Sequence, residues 1–157
     1  MFVPFLLAGC GSNATQEVAA GTPGVLVEDA WVRATTGAKD TTMTAAFMAL
    51  TNPGDTDVKL TSATSPVAGV VQLHEMATQD GKLVMREKTG GVTVPAGSHA
   101  HLSPGGDHIM LMSLKHPLNP GDEVPLTLKF SDNTTHDLKV PVKAFTEEEE
   151  HYHPTPQ

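Results

Sequence analysis

Cysteine is almost missing from this chain: Cys10 is the only one in 157 residues. No internal disulfide can brace the fold, and no thiolate cluster can form within it. Aromatic side chains are scarce at 4%, which leaves Val, Leu and Ala to fill a core. Lys and Arg number 10 against 18 acidic residues. With no basic stripe to attract phosphates, nucleic acid is not an expected partner. The formal charge is −8, of which Glu147 to Glu150 carry half, so the rest of the chain is only mildly acidic. No segment approaches the roughly 20 consecutive apolar residues of a membrane span. Nucleophile elbow, phosphate loop and paired-carboxylate signatures are absent as well. The chain is not expected to be an enzyme.

What is present begins around that single cysteine. The stretch "FLLAGCGSNATQ" passes from an apolar run through Leu7-Ala8-Gly9-Cys10 into small polar residues. It resembles the lipobox of bacterial lipoproteins. The resemblance implies acylation of Cys10, an extracytoplasmic location, and attachment to the bacterial cell membrane through lipid alone. Nine residues precede Cys10 and none is basic, so residues 1–10 read as a truncated signal peptide. Residues 11–24 read as a flexible tether. At the other end, "EEEEHYHPTPQ" marks residues 144–157 as an acidic, histidine-containing, disordered tail.

Between these lies one domain, residues 25–143. Runs such as "VLVEDAWVRAT", "TAAFMALTN", "PLTLKF" and "HDLKVPVK" are β-rich and punctuated by "NPGD", Asp80-Gly81 and "SDNT". The 14 Gly and 12 Pro fit the same turn-rich pattern. Eight or so short strands at this spacing predict an all-β fold, a sandwich or a Greek-key barrel.

The chemistry concentrates in "VQLHEMATQDGKLVMREK", residues 71–88. Asp-Gly between two alternating runs is a strong signal for a two-residue hairpin turn. In that register Gln79 faces Lys82 and Met76 faces Met85. Directly opposed residues project from one side of a sheet, and His74, two residues before Met76, shares that side. A one-residue slip would scatter the group. Further on, "DHIMLM" puts His108, Met110 and Met112 on one face of another strand. If the two elements are neighbours, two imidazoles and two or three thioethers converge. Thioether sulfur is soft, uncharged and never protonated at relevant pH, and imidazole is borderline. That set selects Cu(I) over Zn(II), Ca(II) or Mg(II). Each methionine taken singly reads as core filler and each histidine as an ordinary strand residue. The grouping is what calls for a metal.

The constellation resembles the PCu(A)C family of bacterial periplasmic or lipoprotein copper chaperones, whose motif is His, ten residues, Met, about twenty-one residues, then His-x-Met. Here ten residues separate His74 from Met85, and 22 separate Met85 from His108-Ile109-Met110. The extra residue fits "EKTGGV", a turn that can absorb it. The similarity spans roughly residues 25–143 and includes "EDAWVRAT", "ALTNPGD", "VPAG" and "LNPGDEVPLTLKFSDN". It implies a cupredoxin-like sandwich with His74, Met85, His108 and Met110 as Cu(I) ligands and Met76 as an auxiliary sulfur. It also implies delivery of copper to the Cu(A) centre of cytochrome c oxidase, with oxidase subunit II or a Sco-type thiol protein as acceptor or partner. One departure is Asp107, where family members often carry an aromatic. A carboxylate there either tunes the site through an imidazole or stands solvated.

Other residues read more plainly. His99 and His101 alternate with Ala100 and Leu102 and are expected on a solvent face, with a secondary metal contact as the alternative. His116 and His136 fall near turns and are expected exposed. Trp31 and Arg33 either pair within the structure or line the rim of the site. His151 and His153, among glutamates, offer a nitrogen and oxygen set that could hold Cu(II) weakly. Rival functions are a copper scavenger or buffer without a dedicated target, and a metal-free envelope interaction module. A blue-copper electron carrier would need an internal Cys between histidines, and none exists.

Overall fold

The computed structural model describes residues 24–144. Ten strands account for the regular structure: β1 (Leu26–Arg33), β2 (Thr44–Asn52), β3 (Val58–Thr64), β4 (Ala68–Gln79), β5 (Lys82–Glu87), β6 (Val92–Val94), β7 (Ser98–Leu102), β8 (His108–Leu114), β9 (Glu123–Phe130) and β10 (Thr135–Lys143). Ten strands form where about eight were expected. The shortest are β6, at three residues, and β7, at five.

Hydrogen bonding runs β5-β4-β8-β2-β1-β10-β9-β3-β6, with β7 also on β2. The parallel contact between β1 and β10 is two residue pairs long, Val32↔Val142 and Arg33↔Lys143. The sheet folds over at that seam into a first sheet, β5-β4-β8-β2-β1 with β7, and a second, β10-β9-β3-β6, so β3 lies against β4 and β6 against β7 and β2. The pairing path is open, ending at β5 and β6, which makes this the sandwich of the two expected alternatives.

Alternation sets the core. In β9, Val124, Leu126, Leu128 and Phe130 are all buried, while Glu123, Pro125 and Lys129 point out to solvent. β2 does the same with Ala46, Met48 and Leu50, and β8 with Ile109 and Leu111. Burying each such Leu or Phe contributes roughly 1.5–3 kcal/mol. The consequence for function lies on the other side of the first sheet. Fixing Ile109 and Leu111 inward forces His108 and Met110 outward, and Leu73 does likewise for His74.

β7 and β8 lie end to end along one edge of β2. Met110 opposes Ala45 and Ile109 opposes Ala46, whereas Leu102 opposes Met48 and His101 opposes Ala49. His136, expected exposed, is less so than that. It lies within β10, half-buried, with its ring edge-on to Phe130 at 5.4 Å.

Candidate metal centre

The β4–β5 hairpin takes the register that Asp80-Gly81 calls for. Asp80 (φ 52°) and Gly81 (φ 74°) both occupy the left-handed region, as a two-residue turn of this type requires. Gln79 pairs with Lys82, Met76 with Met85 and His74 with Glu87. On the other side of β4, His74 directly opposes His108 and Gln72 opposes Met110. Five residues from three strands therefore share one outward face: Met76, Met85, His74, His108 and Met110.

The imidazoles are held in defined tautomers. A carbonyl oxygen can only accept a hydrogen bond. His108 Nδ1–H donates to the Gly106 carbonyl at 2.9 Å, which turns the Nε2 lone pair toward Met85 Sδ, 3.2 Å away. His74 Nε2–H donates to Gln72 Oε1 at 3.0 Å. Its Nδ1 is buried and has no hydrogen-bond partner among the described residues. The ring centres stand 5.8 Å apart. Each ring thus has one nitrogen pinned by a hydrogen bond and the other presented as a lone pair, the arrangement that orients metal-ligating histidines. Two lone pairs facing each other, as on His108 and Met85, are satisfied together by one electron-pair acceptor between them.

Burial is graded across the group. His74, His108 and Met110 are 9%, 6% and 7% exposed, whereas Met85 is 47% exposed. Phe47 backs His108, with ring centres 6.3 Å apart, and Trp31 stacks on Phe47 at 4.7 Å. A cleft of about 530 Å³ opens beside Met85, His108 and Met110, with Met43, Phe47 and Arg33 among its walls. Trp31 therefore packs within an aromatic wall, while Arg33 is on the rim. Among the described residues no group of three or more His, Cys, Asp or Glu side chains is placed to hold a metal ion. A metal centre on this face depends on thioether sulfur.

Burial is the main force holding His74 below the ordinary histidine pKa. The neighbouring His108 adds to the effect and Glu87 opposes it. The ring stays neutral, and able to give its lone pair to a metal, further into acid than a free imidazole. Two outcomes follow. Metal affinity measured between pH 7 and 5 should decline less steeply than that of a free imidazole site. Metal-free stability should be fully present above pH 6.5 and fall below it, because there the unfolded chain binds a proton that folded His74 refuses. Urea midpoints at stepped pH check the second.

A chain of opposite charges fastens the hairpin to β8. Arg86 Nε reaches Glu75 Oε1 at 2.8 Å, Lys88 Nζ reaches Glu75 Oε2 at 3.2 Å, and the same Nζ reaches Asp107 Oδ2 at 3.1 Å. The Lys88 backbone N–H also donates to the Leu73 carbonyl at 2.8 Å. Hydrogen bonds from Arg86 and then Lys88 hold Glu75 below the usual carboxylate range. Burial works against the charge on Lys88, but its bonds to Asp107 and Glu75 prevail and raise it. Asp107 is partly exposed, as a solvated carboxylate would be, but it binds Lys88 rather than an imidazole. Pairs this open are worth about 0–1 kcal/mol each, so the network matters for position more than for stability. Lys88→Met should loosen Met85 from His108 and weaken metal binding about tenfold, with Lys88→Arg restoring most of it, as read by chelator competition.

Comparison with known proteins gives the family and the fold. Residues 25–142 match the family model described as "Putative lipoprotein LpqE-like". The chain belongs to the LpqE-like family. It is 46% identical over 129 residues to "Putative lipoprotein Lxx21020" of Leifsonia xyli subsp. xyli, spanning 82% of this chain and 75% of that protein. Among solved structures it resembles apo-DR1885 from Deinococcus radiodurans, at 34% identity and a TM-score of 0.60 over 94% of this chain and 96% of that one. The Cu(I) form of DR1885 gives the same identity and TM-score over 83% and 85%. The copper-bound PCuAC domain from PmoF2, at 21% identity, has a TM-score of 0.63 over 79% and 96% and speaks to fold alone. The PCu(A)C resemblance is borne out, and the fold of this LpqE-like chain is the expected cupredoxin-like one.

Each of the five sequence-derived residues is on the shared face, though not equally close. Met85 and His108 touch, and His74 lies opposite His108. Met110 is one row along β8, and Met76 sits opposite Met85, one row nearer the turn. The additional residue of the long motif spacing falls within residues 86–107 and leaves His108 in register with His74. Gly91 ends the turn there. At φ 75°, a Cβ on it would meet the Leu60 carbonyl oxygen at 2.5 Å. Cys10, His151 and His153 lie outside the described residues. Sequence reading missed Gln72, Phe47 and Lys88. Gln72 was within reach, since it sits two residues before His74 on the same face. Phe47 and Lys88 come from other elements and carry no local signal.

Proposed function

We propose that this chain is an extracytoplasmic, lipid-anchored copper chaperone that carries one Cu(I) on His74 Nδ1, His108 Nε2, Met85 Sδ and Met110 Sδ, with Met76 as a reserve sulfur. The observation that carries the reading is the pair of imidazoles, each fixed through one nitrogen, with His108 Nε2 turned to Met85 Sδ and His74 Nδ1 buried without a hydrogen-bond partner among the described residues. Two uncharged imidazoles and two thioethers suit a soft monovalent ion and need no balancing carboxylate. A relative of 34% identity has been solved with Cu(I) bound, which supports the same cargo here. Membership of a family described as lipoproteins supports acylation at Cys10.

The exposure gradient supports transfer over storage. Three candidate ligands are buried and only Met85 stands nearly half in solvent. An acceptor thiolate entering from the cleft meets copper on the Met85 side. It can replace that sulfur first and the imidazoles afterwards, so the ion is never released free. A thiolate binds Cu(I) more strongly than a thioether, which makes the exchange downhill without an energy source. Sco-type thiol proteins and the Cu(A) centre of cytochrome c oxidase subunit II are acceptors of this chemistry.

X-ray absorption on the copper-loaded chain tests the site. The expected first shell contains two nitrogens and at least one sulfur around Cu(I); an all-nitrogen or oxygen shell would refute it. Incubating the loaded chain with an apo Cu(A) domain tests delivery. Copper moving to the acceptor is expected, and copper that stays on the chain would make it a buffer.

A further inference from the structure

The outward face of the first sheet carries a second pair of imidazoles. Along β2, Ala45 opposes Met110, while Ala49 opposes His101 and Thr51 opposes His99. Positions 45, 47, 49 and 51 all project outward, and opposed residues project with them. His99 and His101 therefore stand on the same face as the thioether group. At about 3.3 Å per residue His101 lies about 13 Å and His99 about 20 Å along β2 from the Met110 row, and the His108 row, two residues nearer, is about 7 Å from His101.

The spacing of the pair is that of two ligands on one ion. Metal–nitrogen bonds near 2 Å at neighbouring coordination positions place imidazole centres about 4.5–5 Å apart. The His99 and His101 centres are 5.0 Å apart. Both side chains are exposed, and no described residue hydrogen-bonds either ring. The floor between β1 and β7 is the small side chain of Ala49. On its far side, in the same row, is Glu28, which accepts a 3.4 Å hydrogen bond from Thr51 Oγ1. Glu28 does not complete a three-ligand group with the two rings. It contributes negative charge near the pair, and water would fill the remaining coordination positions.

We propose that His99 and His101 form a second metal site, for a borderline divalent cation and for Cu(II) before the others. Two imidazoles beside a carboxylate, with no sulfur, match borderline and divalent ions, and the order of divalent affinities places Cu(II) above Ni(II) and Zn(II). The thioether group, which lies further along the same face, is matched to the monovalent ion. One sheet face thus sorts copper by oxidation state, at two sites with separate ligands.

The test uses the full chain, first loaded with one equivalent of Cu(I) under anaerobic conditions and then titrated with Cu(II) chloride. Electron paramagnetic resonance should report one bound Cu(II) with two nitrogen donors. Replacing both residues (His99→Ala with His101→Ala) should weaken Cu(II) binding by about tenfold or more, and the pair of changes to Gln, which keeps polarity and bulk, should do the same. The tail changes His151→Ala and His153→Ala should leave the signal in place. Cu(II) affinity unaltered by loss of His99 and His101, or abolished by the tail changes, would overturn the proposal. Failure to load Cu(I) would instead count against the chaperone reading, and the Cu(II) titration would still report on His99 and His101.

Discussion

Met85→Leu should leave the domain folded and remove most of its Cu(I) affinity, by about 100-fold. Leucine matches methionine closely in volume, and such swaps usually cost less than about 1.5 kcal/mol even in a core. Here the side chain is 47% exposed, so the structural cost is smaller still. What disappears is the sulfur 3.2 Å from His108 Nε2. Changes one shell further out commonly weaken metal sites about 10- to 100-fold, and loss of a ligand should reach at least the top of that range. His74→Ala should match it, because Gln72 cannot supply the missing nitrogen. Met76→Leu should have the mildest effect of the series, since Met76 sits a row away from the imidazoles. Competition against a Cu(I) chelator measures all three, with circular dichroism as the check on folding. If Met85→Leu bound copper like the parent, the proposed ligand set would be wrong.

Phe130→Ala should do the reverse. Phe130 is 1% exposed, ends the inward-facing series of β9 and supports the His136 ring at 5.4 Å. Removing a buried phenyl ring typically costs about 3–5 kcal/mol through lost burial and the cavity left behind. That is a large share of the 5–15 kcal/mol that holds most domains together. The urea midpoint should fall accordingly. Cu(I) affinity of the molecules still folded should not change, because Phe130 lies on the second sheet and the candidate ligands on the outer face of the first. The two substitutions together separate the metal centre from the scaffold. A core change that abolished binding in a folded protein would show that the two are coupled.

The hairpin was the most legible part of the chain. Asp80-Gly81 favours one turn type, that turn fixes one register, and the register sets Met76 against Met85 with His74 on the same side. Local rules sufficed because every step involves neighbours in sequence. The outward placement of His108 and Met110 was legible in the same way, from strict alternation with Ile109 and Leu111. Asp107 was not. Its partner Lys88 is nineteen residues away, and nothing in "GGDHIM" indicates which cation will meet it. His136 was expected exposed and is half-buried, because its ring packs against Phe130 of the neighbouring strand, a contact that no local pattern announces.

By itself, then, the sequence determined the all-β class, the soft character of the donor atoms and which side chains share a strand face. These follow from composition, ligand chemistry and a two-residue period. Tertiary structure alone decided that β4 lies beside β8, which sets His74 against His108. It also decided which nitrogen of each ring is tied up, and that Phe47 closes one side while Met85 stays open to solvent. Those outcomes depend on contacts between strands distant along the chain, formed by burial of a shared core, and no local pattern encodes them.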